Sequence, residues 1–241
     1  MIAVDRQITV CRDWPNDIIE FIKGGDKMMQ YLLIHGIGGL GQNSSSWDKT
    51  ISLLPKTKQI ACPNLWTLLN EKEITYANLY QSFADYCNGI SGKLNLCGLS
   101  LGGILALNYA IEYPNRVQSM VLIGAQYKTP KGLIRLQNVI FRLMPNSSFA
   151  KMGMQKNDVI NLTNSMMELD FNMKLKDISC QSMIVCGEKD NANKKAARQL
   201  VQNIPNAEIQ LIKDAGHEIN IDAPEKLADI LNVFWKNGTG H

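Results

Sequence analysis

The feature that most constrains this chain is the stretch over residues 94–104, which reads LNLCGLSLGGI. A short apolar run leads into the pentapeptide GLSLG, and an almost wholly apolar helical segment follows it. This pattern predicts a strand, a sharp turn and a helix, with Ser100 in a strained conformation at the turn. Glycines two residues to either side leave room for the strand and the helix to approach closely. Ser100 is therefore expected to project its hydroxyl from the top of a sheet.

Composition limits the class of protein. The chain has 241 residues, of which 45% are hydrophobic and 20% are charged, as is usual for a soluble globular protein with one large domain over 1–241. No apolar run approaches the roughly 18 residues needed to cross a bilayer, so no membrane span is expected. The net charge is only +3, and basic residues alternate with polar and acidic ones. This balance disfavours a nucleic-acid-binding surface and points to small-molecule partners.

The amino-terminal residues and the cysteines indicate the compartment. The first residues lack a basic segment followed by a long apolar one, so no secretion signal is predicted and a cytoplasmic location is expected. The six cysteines show no C-x-x-C spacing, and Cys97 and Cys186 end apolar runs just before glycine, which is typical of reduced core thiols. The three histidines are well separated, so no zinc site is expected, and no cofactor is predicted.

Strand and helix patterns alternate along the chain. Besides the stretch described above, apolar runs predict strands at 28–34, 58–61, 117–123, 183–186 and 208–212. Helical spacing predicts helices at about 44–54, 75–90, 101–113 and 192–203, and a last helix that begins at 222–224. This alternation predicts an α/β fold with a mostly parallel central sheet and helices on both faces. Residues 1–27 alternate only weakly and suggest edge strands and turns.

Residues 126–178 interrupt the alternation. They are too long for an ordinary connection and too rich in Met and Phe for a disordered linker, so they predict a small helical cap inserted into the domain. Methionines of this segment, among them Met144 and Met152, could line an adaptable apolar pocket for substrate. The alternative for each of them is a packing role in the seam between cap and core.

A serine hydroxyl needs a base to become a good nucleophile, and the usual base is a histidine held by a carboxylate. His217, in the sequence DAGHE, directly follows the last predicted strand. Loops at the carboxyl ends of the strands of an α/β sheet share one crevice, so His217 is expected to meet Ser100 there. His35 is better placed to shape the glycine loop that contains it, and His241 ends a polar tail.

The acid that orients the base should come from another strand end. The sequence GEKD at 187–190 offers two carboxylates, and we choose Asp190 over Glu188 because it sits further into the crevice. Asp214, in the loop of the histidine itself, is the second choice. The resulting order is Ser100, Asp190, His217, which is the order of the α/β-hydrolase arrangement.

Four motifs together carry a family resemblance over about residues 28–235. They are HGIGG at 35–39 with Trp47 downstream, GLSLGG at 98–103, GEKD at 187–190, and Gly216-His217. With them the chain resembles the single-domain serine hydrolases of the α/β-hydrolase fold, a group with esterases, lipases, enol-lactonases and carbon-carbon-bond hydrolases. The resemblance implies an oxyanion hole formed by the backbone amides of Leu101 and Ile37.

One segment departs from this family. Its members commonly have a D-x-x-G-x-G-x-S type of loop before the helix that precedes the serine turn, whereas this chain reads PNLWTLL at 63–69. The departure weakens the transfer of any narrow substrate class. Leu65 and Trp66 could press into the substrate pocket instead, and a packing role for Trp66 is the alternative.

These observations predict a cofactor-free serine hydrolase that cleaves a small carboxylic ester, thioester or lactone with an apolar acyl group through an acyl-enzyme. A carbon-carbon-bond hydrolase would use the same residues. A haloalkane dehalogenase is disfavoured because it needs a carboxylate where Ser100 stands. The alternative from another class is a ligand-binding signalling protein that keeps the triad but hardly turns over. A degenerate scaffold is disfavoured, since each catalytic position is filled.

Overall fold

The computed structural model describes residues 30–37, 42–150 and 154–237. Within them six strands form one parallel sheet in the order β2-β1-β3-β4-β5-β6. The strands are β1 (Gln30–Ile34), β2 (Gln59–Ala61), β3 (Leu94–Leu99), β4 (Val117–Ile123), β5 (Gln181–Gly187) and β6 (Ala207–Ile212). The predicted parallel sheet is confirmed, and every predicted strand from 28–34 onward has its counterpart. The edge strands suggested for 1–27 lie outside the described residues.

Helices fill the connections between the strands. They are α1 (Asp48–Ser52), α2 (Leu65–Leu68), α3 (Tyr76–Gly89), α4 (Leu101–Glu112), α5 (Lys131–Leu143), α6 (Asn146–Ala150), α7 (Lys156–Ser165), α8 (Lys194–Asn203), α9 (Ile219–Asp222) and α10 (Pro224–Asn237). Three 3-10 helices, at Ser44–Trp47, Pro114–Arg116 and Asn172–Asp177, complete the described elements.

Both faces of the sheet are buried, which explains why its strands are apolar runs rather than alternating ones. On one face Leu32 and Leu96 pack in a core with α3, α4 and α8. On the other face Leu33 and Cys97 pack in a second core that includes side chains of α10. The prediction of helices on both faces is therefore confirmed. The cysteines of the described residues are buried, and no disulfide joins two of them.

The helix expected at 44–54 differs from its prediction. Residues 44–47 form a 3-10 helix and α1 ends at Ser52. The cap is Asn43, one residue earlier than the serines: its Oδ1 accepts the Ser45 N–H at 2.8 Å, and its own N–H donates to Ser46 Oγ at 3.1 Å. Serine hydroxyls compete for backbone groups in this way, so a serine run favours a tight turn over a regular α-helix.

The segment over residues 126–178 contains α5, α6, α7 and a 3-10 helix. Its two ends are joined at the base: Phe171 N–H donates to the Tyr127 carbonyl at 2.8 Å, and Thr129 N–H donates to the Leu169 carbonyl at 2.9 Å. The segment thus leaves the sheet after β4 and returns before β5 as one unit. That it caps the catalytic edge stays a prediction. No helix in the described ranges has the length and apolarity to cross a bilayer.

Candidate active site

Ser100 stands at a strained turn between β3 and α4. Its φ of 53° and ψ of −114° lie in a region that residues with a side chain rarely adopt. A Cβ on Gly98 would lie 2.3 Å from the Gly102 carbonyl carbon, and a Cβ on Gly102 would lie 2.2 Å from the Ile34 carbonyl oxygen. Only glycine fits at either position, so the pattern GLSLG is dictated by the close approach of helix and strand.

Two backbone amides lie at the ends of neighbouring strands. The Leu101 N–H is the first of α4, in the turn where helical N–H groups have no intrahelical partner and the helix dipole is positive. Ile37 follows β1, which pairs with β3 so that Ile34 stands opposite Gly98. The two amides predicted for the oxyanion hole therefore follow adjacent strands at one edge of the sheet. The rest of the glycine loop, residues 38–41, lies outside the described residues.

His35 is a buried cross-link of this glycine loop. Its Nδ1 donates to the Gly36 carbonyl at 2.8 Å, and its Nε2 accepts the Leu65 N–H at 3.0 Å. Burial lowers the pKa of His35 to about 4, against the opposing effect of the bond to Gly36. A neutral imidazole with both nitrogens engaged cannot serve as the base for Ser100. It fixes the loop against α2, in the shaping role that its sequence position predicts.

The structure places His217 against Asp190. His217 Nδ1 lies 2.8 Å from Asp190 Oδ2, and the carboxylate is buried while the ring is half-buried. Burial alone would raise the pKa of Asp190, but hydrogen bonds from His217 and Asn193 outweigh it and hold that pKa below its ordinary value. An ionised carboxylate only accepts, so the Nδ1 proton points to Asp190. Within the described residues the hydrogen bonds of this ring all fall on Nδ1, which leaves Nε2 available for a substrate proton.

The two alternative carboxylates are engaged elsewhere. Glu188 Oε2 accepts the Asp214 N–H at 3.2 Å. Asp214 pairs with Lys189 at 3.5 Å on the exposed surface of the loop. In the part of the chain that the structure describes, neither carboxylate is hydrogen-bonded to His217. Of the three candidates, the structure brings only Asp190 to the histidine.

The end of β4 links Ser100 to this pair. The Ser100 N–H donates to the Ile123 carbonyl at 2.8 Å. The next residue, Gly124, has a φ of +54°, and a Cβ there would lie 2.8 Å from His217 Nδ1 and 3.2 Å from Asp190 Oδ2. The imidazole therefore packs directly on the backbone of Gly124, and the preceding residue, Ile123, accepts the Ser100 N–H. Ser100 and the His217–Asp190 pair thus both contact the backbone at the end of β4.

Tight backbone contact also joins the loops that carry the acid and the base. A Cβ on Gly187 would lie 2.0 Å from the Gly216 carbonyl oxygen, so the two loops touch through backbone alone. The Lys189 N–H donates to the Ala215 carbonyl at 2.9 Å, and the Gly216 N–H donates to Asp222 Oδ2 at 2.7 Å. The position of His217 is therefore fixed from both sides.

Sequence reasoning missed two polar residues of this network, Asn193 and Gln126. Asn193 Nδ2 lies 2.9 Å from both carboxylate oxygens of Asp190, and its Oδ1 accepts Gln126 Nε2 at 2.7 Å. Asn193 is almost fully buried and is the cap residue of α8. Sequence reasoning began that helix at 192 and so gave Asn193 no role. Asparagine is a preferred residue just before a helix, and this preference, three positions after Asp190, could have identified it.

The predicted substrate-contact residues have three different outcomes. Trp66 is half-buried with its ring edge-on to His35, the centroids 5.6 Å apart, and its indole N–H is buried without a partner among the described residues. Met144 is half-buried against the larger core. Met152 lies outside the described residues. Leu65 is fully buried, so of the two residues expected to press into a pocket, only Trp66 retains an exposed part.

A cavity of about 630 Å³ lies away from this site. It is lined by the first residues of β5 and β6 and by one side of α10, with Gln181, Ala207 and Phe234 among them. These residues stand at the amino ends of the strands, opposite the carboxyl ends that Ser100 and His217 follow. The cavity is thus separate from the candidate active site.

Comparison with known proteins places this geometry in context. The model of the alpha/beta hydrolase family matches residues 31–230. A putative 2-succinyl-6-hydroxy-2,4-cyclohexadiene-1-carboxylate synthase of Bacillus subtilis is 22% identical over 83% of this chain and 88% of its own length. Lipase 1 of Psychrobacter immobilis is 23% identical over 88% of this chain and 82% of its own length.

Solved structures are similar in fold. A thermophilic esterase from Thermogutta terrifontis superposes with a TM-score of 0.70 at 19% identity, covering 88% of this chain and 91% of its own. MenH from S. aureus has the same TM-score at 14% identity and covers 90% of this chain and 96% of its own. The likeness extends over nearly the whole of each chain.

Proposed function

Because this chain belongs to the alpha/beta hydrolase family, we propose that it is a serine hydrolase that cleaves a small carboxylic ester, thioester or lactone through an acyl-enzyme. Ser100 is the nucleophile, His217 the general base and acid, and Asp190 the residue that orients the base. The observation that carries the proposal is the 2.8 Å contact of His217 Nδ1 with Asp190. It lies beside the end of β4, where the Ile123 carbonyl accepts the Ser100 N–H. That arrangement leaves Nε2 for the serine proton.

The reaction follows from these positions. As Ser100 Oγ attacks the acyl carbon, its proton passes to His217 Nε2 and the carbonyl oxygen becomes an oxyanion. The amides of Leu101 and Ile37 donate to that oxyanion, and ionised Asp190 stabilises the imidazolium. The ester bond then breaks, and His217 gives its proton to the leaving alcohol, thiol or lactone oxygen. Water attacks the acyl-enzyme with His217 as base, which frees the acid and restores Ser100.

We base the substrate class on two half-buried side chains, Trp66 and Met144. Trp66 lies edge-on to His35, which is bonded to the glycine loop, and Met144 borders the core at the end of α5. Both present apolar surface, which supports a substrate with an apolar acyl group. The similar protein from Psychrobacter immobilis is named a lipase, in accord with such a substrate. Every step is a proton transfer or an acyl transfer, so the proposed mechanism uses no metal or cofactor.

A turnover screen tests the proposal. Short and long acyl esters, thioesters and lactones are offered to the wild-type chain, to Ser100→Ala and to His217→Ala. We expect repeated turnover of at least one class, and a fall in kcat of about 10⁶ in either variant, because the triad acts as a unit. Ser91→Ala, at an exposed serine outside the site, is the matched control and should keep full activity. A tenth of wild-type activity in Ser100→Ala contradicts the mechanism.

The same screen separates the alternatives. An enzyme releases acid many times per chain, whereas a signalling protein that keeps the triad releases it about once. The similar protein from Bacillus subtilis is named a synthase, so dependence on Ser100 does not by itself establish acyl transfer. Rapid quenching followed by mass spectrometry should find the acyl group on Ser100. Turnover without this adduct removes the acyl-enzyme from the proposal.

A further inference from the structure

The helix α5 turns an apolar side away from the part of the protein that the structure describes. Large apolar side chains recur along it at intervals of three or four residues, and between 46% and 83% of each is exposed: Leu133, Leu136, Val139, Ile140 and Leu143. This spacing places them in one row along the helix. We call these five residues the outer stripe of α5.

The opposite side of α5 attaches to the protein largely through polar contacts. Asn138 is buried, its Nδ2 donates to Asn164 Oδ1 at 2.8 Å, and its Oδ1 accepts the Thr163 hydroxyl at 2.7 Å. Phe141 adds an edge-on contact with Phe149 at 5.7 Å. Amphipathic helices of globular proteins normally bury the apolar side and expose the polar one. The outer stripe therefore lies on the side of α5 away from these contacts.

Positive charge accompanies the outer stripe. The sequence of α5, KGLIRLQNVIFRL, contains three basic residues and no acidic one. Lys131 pairs with Glu168 at 2.6 Å, while Arg135 and Arg142 are exposed along the helix. Lys156 lies next to the last turn, where its ammonium donates to the Arg142 carbonyl at 3.1 Å. An exposed apolar row bordered by arginines is complementary to a surface with an apolar interior and anionic groups on its outside.

We propose that the outer stripe of α5 binds the surface of an anionic lipid bilayer. A helix with apolar residues on one side and Lys or Arg beside them lies in the plane of a membrane interface, with the apolar side below the headgroups and the cations among them. A second copy of the chain is a poorer occupant, because a two-fold pairing of α5 would bring Arg135 and Arg142 of both copies together. The proposal goes beyond the proposed function and does not depend on it.

Flotation with lipid vesicles tests the proposal. The full chain carrying Ser100→Ala is used, so that hydrolysis cannot alter the lipid. Vesicles consist of phosphatidylcholine alone or of phosphatidylcholine with phosphatidylglycerol. We expect binding to the anionic vesicles that weakens as salt is added, because the arginines act through screened attraction.

Two matched pairs of variants locate the binding surface. Leu136→Gln with Leu143→Gln should lower the bound fraction about tenfold or more, since both apolar anchors are lost. Leu211→Gln, at a leucine of β6 that is 54% exposed, should leave binding unchanged. Arg135→Gln with Arg142→Gln should weaken binding to the anionic vesicles alone, whereas Lys213→Gln, at an exposed lysine of another surface, should not.

Three results overturn the proposal. In the first, the folded chain fails to bind anionic vesicles. In the second, the chain with both leucine changes on α5 binds as well as Leu211→Gln. In the third, the chain dimerises without binding vesicles and the two leucine changes abolish the dimer, which assigns the stripe to a second copy. Activity of the leucine pair on a water-soluble ester, in an otherwise wild-type chain, should stay within about twofold, because surface changes far from packed groups have small effects. This readout keeps a failure here distinct from a failure of the proposed function.

Discussion

The carboxyl ends of the strands and helix α5 differ in what they bury and what they expose. At the carboxyl ends of the strands Asp190 is buried and bonded to His217 and Asn193. On α5 a buried asparagine attaches the helix, and the apolar side chains face outward. The first arrangement fixes a charge in one orientation, which proton transfer needs. The second leaves apolar surface free to meet something outside the chain.

Backbone packing sharpens the difference. A side chain on Gly98 or Gly187 would lie 2.3 Å or less from backbone atoms of a neighbouring element. A side chain on Gly132, in the first turn of α5, would meet no described atom within 4 Å beyond its own helix. The sheet edge therefore admits one geometry, while α5 tolerates change. Under the two proposals, chemistry and attachment to a surface lie in separate parts of the chain.

After the losses expected for Ser100→Ala and His217→Ala, the largest expected effect comes from Asp190→Asn, at the carboxyl ends of the strands. The amide keeps the shape of the carboxylate but holds the imidazole in the wrong tautomer, so kcat should fall by about 10⁴, or roughly 5 kcal/mol of activation free energy. Glu188→Gln and Asp214→Asn are matched controls, because both carboxylates lie nearby without a bond to His217. Steady-state kinetics on the best ester measures all three. If a control is crippled while Asp190→Asn keeps near wild-type turnover, the acid assignment is wrong.

The next effect is a loss of stability on acidification that originates at His35. Its pKa is about 4 in the folded chain and 6.5 as a free side chain, so between these values the unfolded chain binds a proton that the folded chain does not. Stability from the neutral imidazole is complete above pH 6.5 and should fall by up to about 3 kcal/mol as the pH drops to 4. The pKa of Asp190 is lowered from 3.8, so protonation of this carboxylate changes stability only at lower pH, outside this range.

Urea unfolding between pH 4.5 and 7 measures this loss. His35→Gln removes the titrating ring and should flatten the dependence, whereas His217→Gln leaves His35 in place and should retain it. A wild-type stability that stays level across this range contradicts a neutral buried His35. So does a His35→Gln chain that loses stability as steeply as the wild type.

The smallest effects concern α5 and test whether its buried asparagine stabilises the fold more than its exposed leucines do. Asn138→Ala should cost about 1–2 kcal/mol of unfolding free energy, because it removes partners from Thr163 and Asn164. Leu136→Gln should stay within about 0.5 kcal/mol, since its side chain is mostly in water already. Both are read from urea unfolding at neutral pH. A leucine change that costs more than the asparagine change shows that the outer stripe is packed in the folded chain.

Much of the catalytic edge could be predicted from the sequence because its rules are local. The spacing of Gly98, Ser100 and Gly102 requires one turn, and strand ends bring distant loops together, so the meeting of His217 with Asp190 was expected from strand positions. The sheet and its two covered faces followed from the alternation of apolar runs and helical spacing. These features depend on backbone geometry that each motif carries with it.

The remainder depends on contacts that no local pattern contains. The cap preference could have marked Asn193 as a candidate, but its bond to Gln126, from a different loop, is visible only once the loops are packed. Periodicity shows that α5 has an apolar side but not which way that side faces. The engagement of both His35 nitrogens likewise requires knowing that Leu65 lies against the ring. Tertiary contact decides all three.

Labelling with a fluorophosphonate probe, followed by peptide mass spectrometry, tests directly whether Ser100 is the nucleophile. We expect a single adduct on Ser100, because this hydroxyl stands at the strained turn and His217 is proposed as its base. Labelling should fall sharply in His217→Ala and be unchanged in Ser91→Ala. An adduct on another residue, or none on the folded chain, would contradict Ser100 as the nucleophile.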